Sequence, residues 1–414
     1  MLLWLFIHAA KKISLGHANL LELRADEATC NDINNCRTLF DIIWGCLATV
    51  FACTWVAVHQ NVPPPDLGWL SRLLRKLKLM LLAVIAPELM VAFAARQFLD
   101  ARYIAKEFDV PKTHAFFCCM GGFVAEDGHP IGEIKELPDY ISAIRRVKEA
   151  DIDDKSKGDA LSKGLAITQG LWFTVQCVAR FCQHLPVTEI EVATLAFAVV
   201  STSIRLFWWS KPLDVQQPIV VVGTIGVFPS SSPIRDLQAP AMKTKRPRGL
   251  TDERRCAILW RYPRYSSFPA SSTSVPMFCS IRQDKGLTSL NMTVLAVELI
   301  IGASFGAIHC VVWNTTFPTI SEMWMWRLSS SFVAAYPLLL GVPFAIRVSG
   351  VFGARPGDLD LPLNVLKTTF FVIGAVPVYI LCRLFLIVLP LTTLRALPTG
   401  AFVDVDWSVY IPHL

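Results

Sequence analysis

The feature that most constrains this chain is a series of apolar runs, each about as long as the hydrocarbon core of a membrane is thick. About 20 apolar residues in a helix cross that core. Such runs occupy residues 39–58, 79–95, 165–182, 192–209, 290–312, 324–346 and 368–391. Charged residues make up only 17% of the chain, against roughly 25% in a soluble domain. The sequence therefore predicts an all-α fold, a polytopic transmembrane helix bundle of about seven spans, within a range of six to eight.

The runs also set the expected organisation of the chain. An N-terminal segment outside the cytoplasm (1–37) is followed by two spans (38–110), a surface segment (111–163), two more spans (164–222), a linker (223–288), three spans (289–396) and a tail (397–414). In the surface segment, Ile141, Ile144, Val147 and Ile152 recur at roughly helical spacing, which predicts one amphipathic helix. The linker, rich in Ser, Pro and Arg, has the composition of a disordered basic loop.

The distribution of Lys and Arg predicts the orientation, because cytoplasmic loops are enriched in both. Residues 63–78, 211–285 and 341–358 carry basic residues beside the runs and are expected in the cytoplasm. The loop after residue 312 has none and contains a glycosylation sequon at Asn314, which predicts that this loop faces away from the cytoplasm.

Seven simple spans do not fit these signs, because an even number of crossings is needed between the first two basic segments and the runs give three. Either residues 114–124 (HAFFCCMGGFV) contribute to an extra crossing, or the run at 79–95, broken by Pro87, enters the membrane and returns. We favour the extra crossing. With the parity repaired in this way, both chain ends lie outside the cytoplasm.

The cysteine pattern predicts one disulfide and no metal site. Cys30 and Cys36 lie close together in the polar segment CNDINNC, and a bridge between them would persist outside the cytoplasm. No two cysteines have CxxC spacing, and no zinc-site spacing is present. We therefore expect no metal and no cofactor.

Several stretches resemble a large group of fungal multi-pass membrane proteins with no settled function. They are CRTLFDIIWGCLATVFACTWVAVHQNVP, APELMVAFAARQF, THAFFCCMGGF, DKSKGDALSKGLAITQGLWFTVQCVARF, FWWSKPLDV and the closing DWSVYIPHL. The resemblance covers most of the chain outside the linker and implies a fungal membrane protein. It supplies no catalytic residues, since none is established for that group. The expected location is the endoplasmic reticulum, another endomembrane or the plasma membrane.

Polar residues inside the apolar runs are the candidate functional residues, because a charge at the bilayer centre costs about 2.5–3.5 kcal/mol on insertion scales. Helical spacing places Gln169, Gln176 and Arg180 on one face, and Glu298, Gly302, Gly306 and His309 on another. We predict catalytic roles for Glu88, Glu298 and His309, and binding roles for Gln169, Gln176, Arg180 and Arg383. The acids are expected to meet Arg180, Arg383 or His309 inside the bundle. The alternative is purely structural, with these groups joining helices and the two glycines permitting close packing.

Motifs of several known chemistries are absent from the sequence. It has no GxSxG, no phosphate-binding glycine loop and no histidine boxes, and its one acidic stretch, DIDDKSKGD, stands alone. Two hypotheses remain. One is an enzyme that acts on a lipophilic fungal metabolite by acid–base chemistry, and the other is a transporter, channel or receptor with the same carboxylates lining a path or pocket. The expected partners are membrane lipids and a lipophilic small molecule, with no nucleic acid.

Overall fold

The computed structural model describes residues 36–65, 67–156, 160–223, 272–281, 287–349 and 374–409. Their α-helices are α1 (Leu39–Ala57), α2 (Trp69–Ile85), α3 (Pro87–Glu107), α4 (Lys112–Cys119), α5 (Leu137–Arg146), α6 (Glu149–Lys155), α7 (Ala160–Cys182), α8 (Glu189–Phe207), α9 (Leu287–His309), α10 (Ile320–Ser349) and α11 (Val376–Thr393). Short 3-10 turns are Ile134–Glu136, Cys310–Val312, Leu394–Ala396, Thr399–Phe402 and Trp407–Val409. Two short parallel strands are β1 (Phe123–Val124) and β2 (Ile219–Val220). The predicted all-α class is confirmed.

Four helical segments are long and apolar enough to cross a membrane. They are α1, α8, Met292–Val312 and Val376–Ala396, and the number rises to five if α2 and α3 are taken together as one bent span. Among the described residues this is fewer than the seven spans predicted. The expected linker at 223–288 lies mostly outside the described residues, so its disorder stays a prediction.

The starts of α1 and α8 are fixed by reciprocal side-chain caps. Thr38 and Thr188 precede these helices, and each accepts a hydrogen bond from the backbone of the third helical residue. The side chains of those third residues, Asp41 and Glu191, accept a hydrogen bond in return from the backbone N–H of Thr38 and Thr188. A capping box of this kind satisfies two backbone donors that would otherwise lack partners at the start of a helix.

The apolar run at 79–95 forms parts of two helices rather than one. The axes of α2 and α3 differ by 113°, with the break at Ala86. Pro87 is the first residue of α3, where its missing N–H costs nothing, whereas inside a continuous helix it would clash with the preceding turn.

Both arms of this bent pair reach the same end of the bundle. Lys76 in α2 donates to Asp214 at 2.6 Å, and Gln97 in α3 accepts from Lys211 at 2.8 Å. Because Asp214 and Lys211 both lie just after α8, α2 enters the bundle from that end and α3 leads back towards it. We call the pair α2–α3 the hairpin, with its tip at Ala86.

Contacts at the two ends of the bundle show how the other helices alternate. We call α4, α5, α6, β1 and β2 the cap, the end of the bundle beside them the cap end, and the opposite end, where the C-terminal turn Thr399–Phe402 packs, the tail end. At the tail end, hydrogen bonds join Arg37 to Glu191 (2.5 Å), Thr315 to Glu189 (3.0 Å) and Arg395 to Glu322 (2.9 Å). At the cap end, they join Lys211 to the His59 carbonyl (2.6 Å), Ser156 to the Leu213 carbonyl (2.9 Å) and Asn61 to the Cys279 carbonyl (2.8 Å). The tail end therefore holds the starts of α1, α8 and α10, and the cap end holds the ends of α1 and α8 and the segments preceding α7 and α9.

The preferred extra crossing at 114–124 is wrong. These residues form most of the eight-residue helix α4, then a turn and strand β1. At 1.5 Å per residue, eight residues span about 12 Å, well short of a bilayer core of about 30 Å. The segment instead packs inside the cap, and burial raises the pKa of the Cys118 thiol to about 12.

The amphipathic surface helix is present as two shorter helices, α5 and α6, which belong to the cap. Their inward residues Ile144 and Ile152 are fully buried, while Ile141 is half-buried, so the predicted apolar stripe is confirmed. The helix breaks at Val147, whose extended backbone ends α5, and the His114 side chain hydrogen-bonds the Val147 carbonyl at 2.7 Å.

The two glycines on α9 are helix-packing residues. A methyl group added at Gly306 would lie 2.2 Å from the backbone nitrogen of Ala334 in α10. At Gly302 it would lie 3.1 Å from Pro337. Small residues of this kind let two helix backbones approach closely, so the structural interpretation of the pair is the one that the packing supports.

Substitution of Gly306 by Ala should test this packing. Ala normally favours a helix over Gly by about 1 kcal/mol, but here the added methyl must displace a backbone. We expect G306A to lower the free energy of unfolding by about 1–3 kcal/mol, measured by denaturant titration in mixed micelles. G45A in α1, where nothing lies within 4 Å of the added methyl, is the matched control and should be neutral or stabilising. Equal effects of both variants would contradict the packing account.

Candidate functional site

Glu88 lies at the tip of the hairpin, in the first turn of α3 directly after Pro87. The helix dipole is positive in this first turn, so the position favours a carboxylate. The side chain is buried, with a relative exposure of 8% for the residue. The same proline that breaks the apolar run therefore also creates a place that can hold an acid.

Two residues of α11 bind the Glu88 carboxylate. Tyr379 Oη donates to Glu88 Oε1 at 3.0 Å, and Arg383 Nη2 forms an ion pair with Glu88 Oε2. Arg383 also donates to Tyr379 Oη through Nε at 3.1 Å and Nη2 at 2.8 Å. Tyr379 and Arg383 are four residues apart, so they lie on one face of the helix. The expected meeting of Glu88 with Arg383 is present.

Aromatic rings enclose this cluster. The Arg383 guanidinium lies 3.9 Å from the centre of the Phe305 ring, close enough for a cation–π contact. The rings of Tyr336 and Tyr379 lie 4.8 Å apart. Among the described residues, Arg383 Nη1 is buried without a hydrogen-bond partner. The guanidinium therefore has donor capacity left after binding Glu88.

Glu298 is the second acid in this part of the bundle, and its surroundings differ from those of Glu88. It lies on α9 one turn before Gly302, and a methyl group at Gly302 would be 3.7 Å from Glu88 Cβ. Glu298 is 9% exposed, and its Oε2 has no hydrogen-bond partner among the described residues. Among the described residues, the site thus combines one ion-paired carboxylate, Glu88, with one acid, Glu298, that forms no ion pair.

His309 lies outside this cluster of polar groups. Its Nδ1 donates to the Phe305 carbonyl at 2.7 Å, and its own carbonyl accepts from Trp326 Nε1 at 3.1 Å. The imidazole packs against the rings of Phe305 and Trp326. These contacts match a packing role, and no hydrogen bond of the described residues joins His309 to Glu88 or Glu298.

The predicted set of Gln169, Gln176 and Arg180 does not join Glu88. Gln169 donates to Thr49 on α1 at 3.0 Å, and Gln176 is half-buried. Arg180 lies at the tail end. The expected contact with Glu88 or Glu298 is wrong, because Arg180 hydrogen-bonds backbone carbonyls instead. It donates to the carbonyls of Pro186 (2.9 Å), Val403 (2.7 Å), Gly400 (3.3 Å) and Ala401 (3.3 Å). Its role is to hold the C-terminal segment against the bundle.

Sequence reasoning missed a buried lysine at the cap end. Lys211 is 1% exposed, and its Nζ donates to the His59 carbonyl at 2.6 Å and to Gln97 Oε1 at 2.8 Å. The amine also lies 4.2 Å from the Trp208 ring. Burial lowers the pKa of Lys211 well below its ordinary value, and these partners offset part of that penalty. The only signal in the sequence was the aromatic context of FWWSKPLDV.

Three other predictions concern the tail end and metals. Cys36 is disulfide-bonded, whereas the predicted partner Cys30 lies outside the described residues, so the pairing stays a prediction. Asn314 is exposed in the loop between α9 and α10, as a glycosylation site requires. No group of three or more His, Cys, Asp or Glu side chains in the described ranges could hold a metal ion.

Comparison with protein-family models assigns the chain. It matches a family of unknown function (DUF8562) over residues 22–115, 108–230 and 272–414, and the chain belongs to that family. Neither the curated proteins nor the solved structures include a match to the chain. The assignment therefore supplies no activity, and any function must be argued from the contacts around Glu88.

The Glu88–Arg383 pair should matter strongly for stability. E88Q leaves Arg383 buried without its carboxylate, and breaking a buried ion pair costs about 3–5 kcal/mol. We expect a loss of that size in the free energy of unfolding, with part of it recovered in E88Q/R383Q. The matched control is E322Q at the tail end, because the Arg395 partner of Glu322 is 55% exposed and such pairs contribute about 1 kcal/mol or less. An E88Q loss no larger than that of E322Q would contradict the account.

Proposed function

We propose that this chain is a multi-pass membrane protein of the fungal group that its motifs resemble, with six crossings and one re-entrant hairpin. The crossings are α1, α7, α8, α9, α10 and α11, with α2–α3 as the hairpin. Each proposed crossing runs between the cap end and the tail end, in alternating directions. Arg383, the eighth residue of the 18-residue helix α11, puts the tip of the hairpin near the middle of the bundle.

The proposed orientation has the cap end in the cytoplasm. The basic segment 72–78 lies in α2 beside the cap end, and cytoplasmic loops are enriched in Lys and Arg. Asn314 and Cys36 lie at the tail end, which suits a sequon and a disulfide outside the cytoplasm. Six crossings and a returning hairpin also remove the parity conflict, because only two crossings, α7 and α8, then separate the basic segments 63–78 and 211–285.

We infer that the hairpin tip carries acid–base chemistry on a lipophilic substrate. The observation that supports it is the difference between two neighbouring carboxyl groups. Glu88 is bound by Arg383 and Tyr379, while Oε2 of Glu298 on the facing helix has no hydrogen-bond partner in the part of the chain that the structure describes. Two acids in different environments divide naturally into a charged and a protonated partner. Glu298 is then the proton donor, Glu88 the charged group, and Arg383 Nη1 a donor to an oxygen of the substrate.

The alternative is a transporter or channel, and the hairpin is the observation that favours it. Non-helical backbone at membrane depth is tolerated where it is buried in protein or lines a cavity, and many transporters place such breaks at the substrate site. In that case Glu88 and Glu298 carry protons or bind a cationic solute during transport. Both hypotheses make the same two acids essential and differ in whether a substrate is chemically changed.

Accessibility of engineered cysteines tests the proposed topology. N314C at the tail end and D153C in the cap are both exposed positions. In sealed vesicles of known orientation, a membrane-impermeant maleimide should label N314C only from the non-cytoplasmic side and D153C only from the cytoplasmic side. Labelling of both from the same side would rule out this arrangement of crossings.

Expression in a fungal host with untargeted metabolite comparison tests the chemistry. E298Q keeps size and hydrogen bonding but removes the transferable proton, so we expect at least a hundredfold loss of product, at the low end of general acid–base effects, with normal protein abundance. E322Q is the control and should retain activity. If no metabolite changes and E298Q instead abolishes proton-driven uptake into proteoliposomes, the transporter hypothesis replaces the enzyme. A fully active E298Q in both assays would contradict both.

A further inference from the structure

The strongest unassigned feature is a buried arginine away from the hairpin. Arg205 lies in the last turn of α8 and is only 7% exposed. Its Nη2 contacts the Cys53 thiol sulfur at 3.7 Å, and its Nε and Nη1 have no hydrogen-bond partner among the described residues. No described carboxylate forms an ion pair with it, in contrast to Arg37, Arg96, Arg383 and Arg395.

The surroundings of Arg205 are small and polar rather than acidic. Gly170 on α7 faces it, and a methyl group there would lie 3.9 Å from Arg205 Nη2 and 3.1 Å from Cys53 Sγ. Next to this glycine, Gln169 is hydrogen-bonded to Thr49. These groups neutralise no charge, so the guanidinium keeps unused donors in a place where an unpaired charge is costly.

The depth of Arg205 indicates what could bind there. The exposed Trp209 follows four residues later, about 6 Å along a helix, and exposed tryptophans are enriched where lipid headgroups begin. Leu206, the residue after Arg205, is also exposed. An anionic headgroup at this level could reach the guanidinium while its acyl chains lie against the apolar helix surface.

We propose that Arg205, between α1, α7 and α8 at the cap end, binds the anionic headgroup of an amphiphile from the adjacent leaflet. Phosphate and carboxylate both match the planar fork of donors that a guanidinium offers, and basic sites between helices on the cytoplasmic side bind anionic lipids in this way. The inference goes beyond the chemistry proposed for Glu88 and rests only on the proposed membrane embedding.

Native mass spectrometry of the delipidated full chain in detergent tests the proposal, with phosphatidylserine, phosphatidylcholine and oleate as probes. The wild type should bind phosphatidylserine or oleate at least tenfold more tightly than phosphatidylcholine. Oleate has a carboxylate and no phosphate, so tight binding of oleate shows that a carboxylate is sufficient. R205Q should lose that preference at least tenfold, R205K should keep part of it, and R395Q, at the opposite end, should match the wild type.

Two results would overturn the proposal. One is equal binding of phosphatidylserine, oleate and phosphatidylcholine by the wild type, and the other is an R205Q variant that keeps the wild-type preference. If R205Q does not fold, R205K decides the matter. A folded R205K variant with the full wild-type preference for anionic lipids would show that the planar donors of the guanidinium are not used, and this too would contradict the proposal. Since the labelling of N314C and D153C reports topology separately, failure here is distinguishable from failure of the membrane embedding.

Discussion

A carboxylate and a guanidinium that meet inside the bundle hold its central helices in place. Glu88 and Arg383 are 295 residues apart in the sequence. Neither charge is stable alone in apolar surroundings, so removing one partner costs more than the pair itself contributes. The position of the hairpin tip and the position of α11 therefore depend on each other.

Three of the buried cations, Arg180, Lys211 and Arg383, lie at the two ends and in the middle of the bundle, and they have different partners. Arg180 at the tail end binds backbone carbonyls, which ties down the C-terminal segment. Lys211 at the cap end binds a carbonyl and an amide oxygen beneath the cap. Arg383 alone among these three binds a carboxylate. Carbonyls and amides do not titrate near neutral pH, whereas the partners around Arg383 include a carboxylate, Glu88, with the second acid Glu298 nearby.

Much of the fold could be predicted from local patterns, but not the contacts between distant segments. Apolar length located α1 and α8 to within a few residues, and the rarity of charge inside an apolar run singled out Glu88 and Arg383. Spacing could not decide between Arg180 and Arg383 as the partner of Glu88, because that choice depends on which helices pack together. The run at 79–95 has the length of a crossing, so only the contacts of its two arms reveal a return. Lys211 lies outside every run, and its burial depends on the folded cap.

The direction of the hairpin is the central claim, and accessibility of its two outer ends tests it most directly. Ser71 near the start of α2 and Glu107 at the end of α3 are both exposed. In sealed vesicles treated with an impermeant maleimide, S71C and E107C should both be labelled from the cytoplasmic side, because the chain enters and returns at the cap end. Labelling of the two cysteines from opposite sides would show that α2 and α3 cross the membrane as one bent span, and it would contradict the account.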